Sequence, residues 1–183
     1  MKNSFPLLLI PLLGGLFFSC QRVPVTGRKQ LNLVPNALIQ SMAFTEYDSF
    51  LTTTHVLPSN NYQTQMVNRV GTKIQAAVEA YMLTNNLSKQ IKNFKWEYNL
   101  VDENVVNAWC MPGGKVVVYT GLLHVTQNET ALAVVMGHEI AHAIARHGNE
   151  RMSQALLIQM CGLVLEDALK EKTGCTIQHN GWC

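Results

Sequence analysis

The sequence predicts an α+β fold that is mostly helical, with one small β-sheet near the middle of the chain. Two observations lead to this prediction. On both sides of the centre, apolar residues recur at the spacing of amphipathic helices. Between residues 94 and 119 the pattern changes to alternation with period two and to a run of valines, which indicates strands.

The composition excludes two classes of protein. Hydrophobic residues make up 48% of the 183 residues and charged residues only 14%, which is too apolar for a disordered chain. The net charge is +2 and the basic residues form no stripe, so we expect no nucleic-acid partner. The length fits one domain with its own core.

The first element is an apolar run from Phe5 to Phe18, preceded by the positive charge of Lys2. It is shorter than the roughly twenty residues of a membrane span, and it is typical of a signal peptide, here residues 1–19. The run ends in Ser19 and Cys20, which resembles a bacterial lipobox, so Cys20 is expected to carry a lipid. An ordinary cleaved signal and an uncleaved anchor are the alternatives.

Residues 20–35 contain prolines, a glycine and basic residues, and they predict a tether between the lipid and the folded part. The chain is therefore expected in the bacterial cell envelope, attached to the membrane by its lipid and facing the periplasm. Residues 173–183 form an atypical tail without periodicity.

The folded part, residues 36–172, divides into elements by the two periodicities. Thr126 is expected to cap the helix that contains Glu129, in a capping box. The predicted elements are helices at 36–57 and 62–83, strands at 94–100, 105–110 and 115–119, and helices at 127–147 and 151–172.

The helix predicted at 127–147 contains the pattern HExxH, with His138, Glu139 and His142 as its defining residues. Residues four apart on a helix lie about 40° apart around its axis and roughly 6 Å along it, so both imidazoles can bind one metal ion. The pattern predicts one Zn²⁺ per chain. Glu139 lies about 100° further round, where it can act on a water molecule as the general base.

The alternative is a helix whose two histidines make only structural hydrogen bonds. The surrounding residues are strongly apolar, and a charged Glu139 is costly there without a metal or a hydrogen-bond partner. His147 is expected to point away from His142 and to act as helix-end polarity or as an active-site hydrogen-bond partner, not as a ligand.

Several motifs together resemble peptidase family M48. They are Asn107-Ala108, Pro112-Gly113-Gly114, Gly121-Leu122-Leu123, Glu129, Gly137 to His142, and Arg146-His147-Gly148. The resemblance covers about residues 62–169 and is strongest to periplasmic lipoprotein members, whose histidine helix is similarly followed by HGNERMSQ. It implies a zinc metalloendopeptidase of the Oma and HtpX type.

The resemblance also implies a zincin-like domain with a small antiparallel sheet beside the HExxH helix. Strand 115–119 would then lie near the substrate-facing edge, where an extended peptide could add to Val116, Val117 and Val118 by main-chain hydrogen bonds. Asn107 and Ala108 match the motif at the cleft. They are otherwise ordinary strand residues.

In the family the third zinc ligand is a glutamate of a Glu-Ala-Asp motif on a later helix, and no such motif follows His142 here. With a chain reversal at Gly148-Asn149, Glu166 would lie about 18 Å beyond the metal. The third ligand is therefore unknown and is expected to be missing, as in a C-terminally truncated member. The acidic candidates were Glu150, Glu166, Asp167 and Glu171, and His179 is one more.

The predicted function is a zinc metalloendopeptidase that hydrolyses cell-envelope polypeptides in quality control and is impaired by the missing ligand. The alternative is a non-catalytic lipoprotein remnant, or a peptide-binding or chaperone-like module. The substrate, the cleavage preference and the oligomeric state do not follow from the sequence.

Overall fold

The computed structural model describes residues 20–23, 25 and 27–173. Within these residues the domain has five α-helices and two small sheets, in agreement with the predicted α+β class. The strands are β1 Cys20–Arg22, β2 Lys29–Leu31, β3 Glu97–Val101, β4 Ala108–Met111 and β5 Lys115–Tyr119. The helices are α1 Asn36–Thr53, α2 Tyr62–Thr84, α3 Thr120–Thr126, α4 Glu129–Ile144 and α5 His147–Thr173.

The main sheet has the order β3-β5-β4, with β5 parallel to β3 and antiparallel to β4. The expectation of an antiparallel sheet is therefore wrong for one of the two strand pairs. β4 and β5 form a hairpin around Gly113 and Gly114, which both have positive φ. β4 lies at one edge of the sheet, so β5 lies in the centre between β4 and β3 and runs parallel to β3.

The two faces of the sheet are both covered by helices. Val116 and Val118 of β5 pack into a cluster with α2 and α4, whereas Val117 packs with Tyr47 of α1 on the other face. All three valines are fully buried, as is typical of a central strand that is covered on both sides.

The start of α4 differs from the predicted capping box. Thr126 ends the short helix α3, which the sequence did not reveal, and its successor Gln127 has the left-handed φ of 58°. Asn128 is the actual cap, since its side chain accepts a hydrogen bond from the backbone N–H of Ala131 at 2.9 Å. Glu129 instead forms an ion pair with Arg69 at 2.5 Å.

The end of α4 also differs from the prediction. The chain breaks at Arg146, which has a left-handed φ of 58°, and not at Gly148-Asn149. His147 is the first residue of α5, and Gly148 and Asn149 lie in the first turn of that helix. Among the described residues, no helix is long and apolar enough to cross a membrane.

The predicted tether is occupied by a short antiparallel hairpin, in which Cys20 pairs with Leu31 and Arg22 with Lys29. Contacts also join this region to the start of α5. The predicted signal peptide, residues 1–19, and most of the predicted tail lie outside the described residues. Lipidation of Cys20 remains a prediction.

Candidate metal and active site

His138 and His142 occupy the same face of α4, as their spacing predicts. Their Nε2 atoms face each other at 2.9 Å, and the ring planes are nearly perpendicular, at 89°. In a tetrahedral zinc site with Zn–N bonds of about 2.0 Å, two ligand nitrogens lie about 3.3 Å apart. The two imidazoles therefore fit a shared zinc ion by donor type and after an opening of only a few tenths of an ångström.

His147 lies beside His142, and the expectation that it points away is wrong. The two Nδ1 atoms are 2.5 Å apart, and the ring centroids 4.7 Å. The physical reason is the left-handed Arg146, which turns the chain so that the first residue of α5 comes back toward α4. Burial, and then the neighbouring imidazole of His142, lower the pKa of His147.

Glu139 lines a cavity of about 390 Å³ between α4, β4 and the start of α5. Trp109 and Cys110 of β4 form one wall, and His142 and His147 another. Burial, followed by the nearby Glu139 carboxylate, raises the pKa of Cys110 to about 12. Cys110 therefore stays a neutral thiol near neutral pH, and Glu139 is the one carboxylate among the described residues that line this cavity.

A second cleft, of about 510 Å³, lies on the other side of the histidine pair. Its walls are almost entirely apolar and come mainly from α2, including Ile74, Val78 and Tyr81, with His138 and His142 at its rim. His142 and His147 line both spaces, so they lie between a cavity of mixed polarity that Glu139 lines and a cleft with apolar walls that fits a non-polar side chain.

No third metal ligand lies near the pair in the part of the chain that the structure describes. That part contains no group of three or more His, Cys, Asp or Glu residues able to hold a metal ion. Glu150 is engaged elsewhere, by the guanidinium of Arg28 at 2.5 Å and 3.0 Å. The side chains of Glu166, Asp167 and Glu171, as well as His179, lie outside the described residues.

The predicted substrate strand is in the wrong place for that role. Val116, Val117 and Val118 have no exposed surface and lie on the central strand, which has neighbours on both sides. The outer strand next to α4 is β4 instead. Asn107 is exposed directly before β4 and Ala108 is buried at its start, so their suggested contact with substrate remains a prediction.

A buried polar network at the start of α5 was missed entirely. Asn149, only 2% exposed, donates from Nδ2 to the backbone oxygen of Val34 and to Oδ1 of Asn36, both at 2.9 Å. Ser153, fully buried, donates to Asn149 and accepts from the backbone N–H of Leu33. The one available signal was the pair of small polar residues four apart, which align on one face of a helix.

Comparison with known proteins gives one family and several relatives. The profile of Peptidase family M48 matches residues 68–177. The chain is 41% identical to the Mitochondrial metalloendopeptidase OMA1 of Arabidopsis thaliana over 78 residues, which are 43% of this chain and 16% of that protein. It is 31% identical to the Saccharomyces cerevisiae protein of the same name over 182 residues, 90% of this chain and 52% of that protein.

A bacterial relative is also similar. The Beta-barrel assembly-enhancing protease of Yersinia pestis is 31% identical over 84 residues, which are 46% of this chain and 15% of that protein. The chain thus spans between 15% and 52% of the length of these three relatives.

Proposed function

This chain belongs to peptidase family M48, and on that premise we propose that it is a zinc-dependent metalloendopeptidase. The observation that carries the proposal is the convergence of the His138 and His142 Nε2 atoms at 2.9 Å, with Glu139 lining the cavity that His142 also lines. Two imidazole nitrogens and one carboxylate are groups that peptide hydrolysis at a metal uses.

His138 and His142 would hold the zinc ion, which supplies a Lewis acid for the scissile carbonyl and lowers the pKa of water toward about 7. Glu139 takes the proton of the attacking water and passes it to the nitrogen of the leaving amine. Cys110, a neutral thiol on the opposite wall, does not compete for that proton.

β4 is the strand that we propose for substrate binding. The backbone oxygen of Asn107 accepts a hydrogen bond from the backbone N–H of Tyr119 on β5. Backbone groups alternate in direction along an antiparallel strand, so those of Trp109 and Met111 also point toward β5. The backbone groups of Ala108 and Cys110 then face the open edge. An extended peptide pairing with that edge would run beside the cavity that holds Glu139.

The two-histidine site supports a weak form of this activity. A zinc peptidase site holds three protein ligands, and the described residues supply two. We therefore propose that a site with only these two ligands binds zinc weakly and turns over slowly. The same observation favours a second candidate function, a module that binds peptides at β4 without cleaving them.

We propose a location in the bacterial cell envelope, with Cys20 lipidated and unfolded envelope proteins as substrates. The support is the apolar run before Ser19 and Cys20, together with the similarity to the bacterial Beta-barrel assembly-enhancing protease. Mass spectrometry of the mature N-terminus tests this, and Cys20 without lipid and still joined to Ser19 would contradict it.

The function is tested by zinc binding and by cleavage of unfolded casein in excess zinc. His138→Ala or His142→Ala should weaken zinc binding further, whereas Glu139→Gln should bind zinc like the wild type and lose at least about 100-fold in cleavage. Cleavage that persists in Glu139→Gln would contradict the role of the base. Casein binding without cleavage in the wild type would support the peptide-binding alternative.

A further inference from the structure

We propose that His147 is a positioning residue for His142 and that the N-terminal segment Arg28–Asn36 holds His147 in place. The inference rests on the proposed metal site and adds the residues that orient one of its two ligands. Its basis is the bond between Arg28 and Glu150, which are 122 positions apart, and the contacts that join His147, three residues before Glu150 on α5, to His142 and His142 to His138.

The first contact fixes the tautomer of His142. A neutral imidazole that offers Nε2 to a metal carries its proton on Nδ1, and that N–H needs an acceptor to orient the ring. In this chain the atom that faces His142 Nδ1, at 2.5 Å, is Nδ1 of His147. When Nδ1 of His147 accepts the hydrogen bond from Nδ1–H of His142, Nε2 of His142 carries no proton. This Nε2 atom faces Nε2 of His138.

The second set of contacts fixes His147 itself. Its neighbour Arg146 has a left-handed backbone, so the direction in which α5 leaves this turn decides where the His147 ring lies. Glu150, one helical turn further on, is held by both guanidinium N–H groups of Arg28. Asn149 and Ser153, both buried, bind the backbone of Val34 and Leu33.

The segment Arg28–Asn36 is therefore the structure against which the first two turns of α5 are fixed. Without it, α5 would tilt at the left-handed turn and carry the His147 ring away from His142, although the Arg146 side chain itself is held by Oε1 of Gln90. We expect the metal affinity to depend on a segment that contributes no ligand.

The direct test measures zinc affinity by competition with a chelating dye at about pH 8, where imidazoles are neutral. His147→Phe should bind zinc about 10- to 100-fold more weakly, as is typical for loss of a ligand's outer hydrogen-bond partner. His147→Asn keeps an acceptor and should recover most of the affinity. His124→Phe, on the exposed face of α3, is the matched control and should bind like the wild type.

A metal-free readout separates positioning from general damage. Nitrogen NMR of His142 should show the Nδ1-protonated tautomer in the wild type and in His147→Asn, and a mixture of tautomers in His147→Phe. Wild-type zinc affinity together with an unchanged tautomer in His147→Phe would overturn the proposal. If His138→Ala also failed to weaken zinc binding, the proposed metal site itself would be wrong.

The N-terminal half of the proposal is tested by a charge exchange. Arg28→Glu and Glu150→Arg should each weaken zinc binding several-fold, and the double variant should restore it, because it re-forms the ion pair with reversed polarity. Single variants that bind zinc like the wild type, while thermal unfolding shows them folded, would overturn the role of the segment.

Discussion

At the scale of single residues, Gly71 of α2 shows how closely the helix approaches the sheet. A Cβ at this position would lie 2.4 Å from the Cδ1 atom of Tyr98 on β3. Gly71→Ala should therefore lower the free energy of unfolding by about 1–3 kcal/mol, because the added methyl group overlaps the Tyr98 ring, which is buried and stacked on Trp96. Urea unfolding measures this change.

Gly137 provides the matched control, since it is also in a helix but a Cβ there meets nothing within 4 Å. Gly137→Ala should raise stability by up to about 1 kcal/mol through helix propensity alone. Equal effects of the two substitutions would mean that Gly71 does not pack against Tyr98.

The functional residues that sequence reasoning found are those whose partners are near in the chain. His138, Glu139 and His142 follow from the fixed geometry of one helix. The contact between His147 and His142 was missed because it depends on a left-handed Arg146, and nothing in a residue's identity requires that conformation. Arg28 and Glu150 are 122 residues apart, so no local pattern joins them.

At the scale of elements, α4 carries the site and its N-terminus is capped by Asn128. Asn128→Ala should cost about 1 kcal/mol of stability, because the N–H of Ala131 loses its acceptor. Asn128→Asp keeps an oxygen in the same place and should stay near the wild type. A loss in Thr126→Ala accompanied by none in Asn128→Ala would restore the capping box that the sequence suggested.

The sheet contains an ion pair that makes stability depend on pH. Partial burial alone would raise the pKa of Glu97, but hydrogen bonds from Lys115 at 2.6 Å and Asn99 at 3.0 Å hold it below its ordinary value. The pair therefore stabilises the fold above the unfolded pKa of about 4.3. This stabilisation is lost as the pH falls through the folded pKa.

Glu97→Gln should remove this part of the acid dependence, worth at most about 1 kcal/mol because the Glu97 side chain is 42% exposed. Urea unfolding at pH values from about 6 to about 3 measures it. Glu46→Gln, an exposed position on α1, is the control. The ion pair would be unimportant if both variants kept the wild-type slope.

The elements themselves were predictable, but their arrangement was less so. The run of valines predicted β5 to the residue, and apolar spacing placed the end of α2 within one residue of the observed end. Periodicity does not show which strand is central. The substrate-binding edge was therefore predicted on β5, whereas β5 is the central strand and β4 lies at the edge next to α4. The short α3 was missed because seven residues give too little periodicity.

At the scale of the whole molecule, the later part of α5 exposes many large apolar side chains. Ile158 is 71% exposed, Leu163 68% and Leu165 61%. Large apolar side chains that a helix exposes to water in this number favour association. We expect the chain to associate with rising concentration, and a triple variant with glutamine at these three positions to be more monodisperse in sedimentation velocity.

Val134→Gln is the control for that experiment, because Val134 is 69% exposed but stands alone on α4. A single exposed apolar residue should not change the sedimentation. If the wild type stays monodisperse over the whole concentration range, the apolar surface of α5 does not drive association.

The central claim is that His138 and His142 hold one zinc ion, and X-ray absorption at the zinc edge tests it most directly. The zinc-loaded protein should show two imidazole ligands at about 2.0–2.1 Å and no sulfur. Glu139→Gln should give the same spectrum, and His142→Ala should lose the site. A spectrum with thiolate sulfur, or one unchanged in His142→Ala, would show that zinc binds elsewhere and would contradict the account.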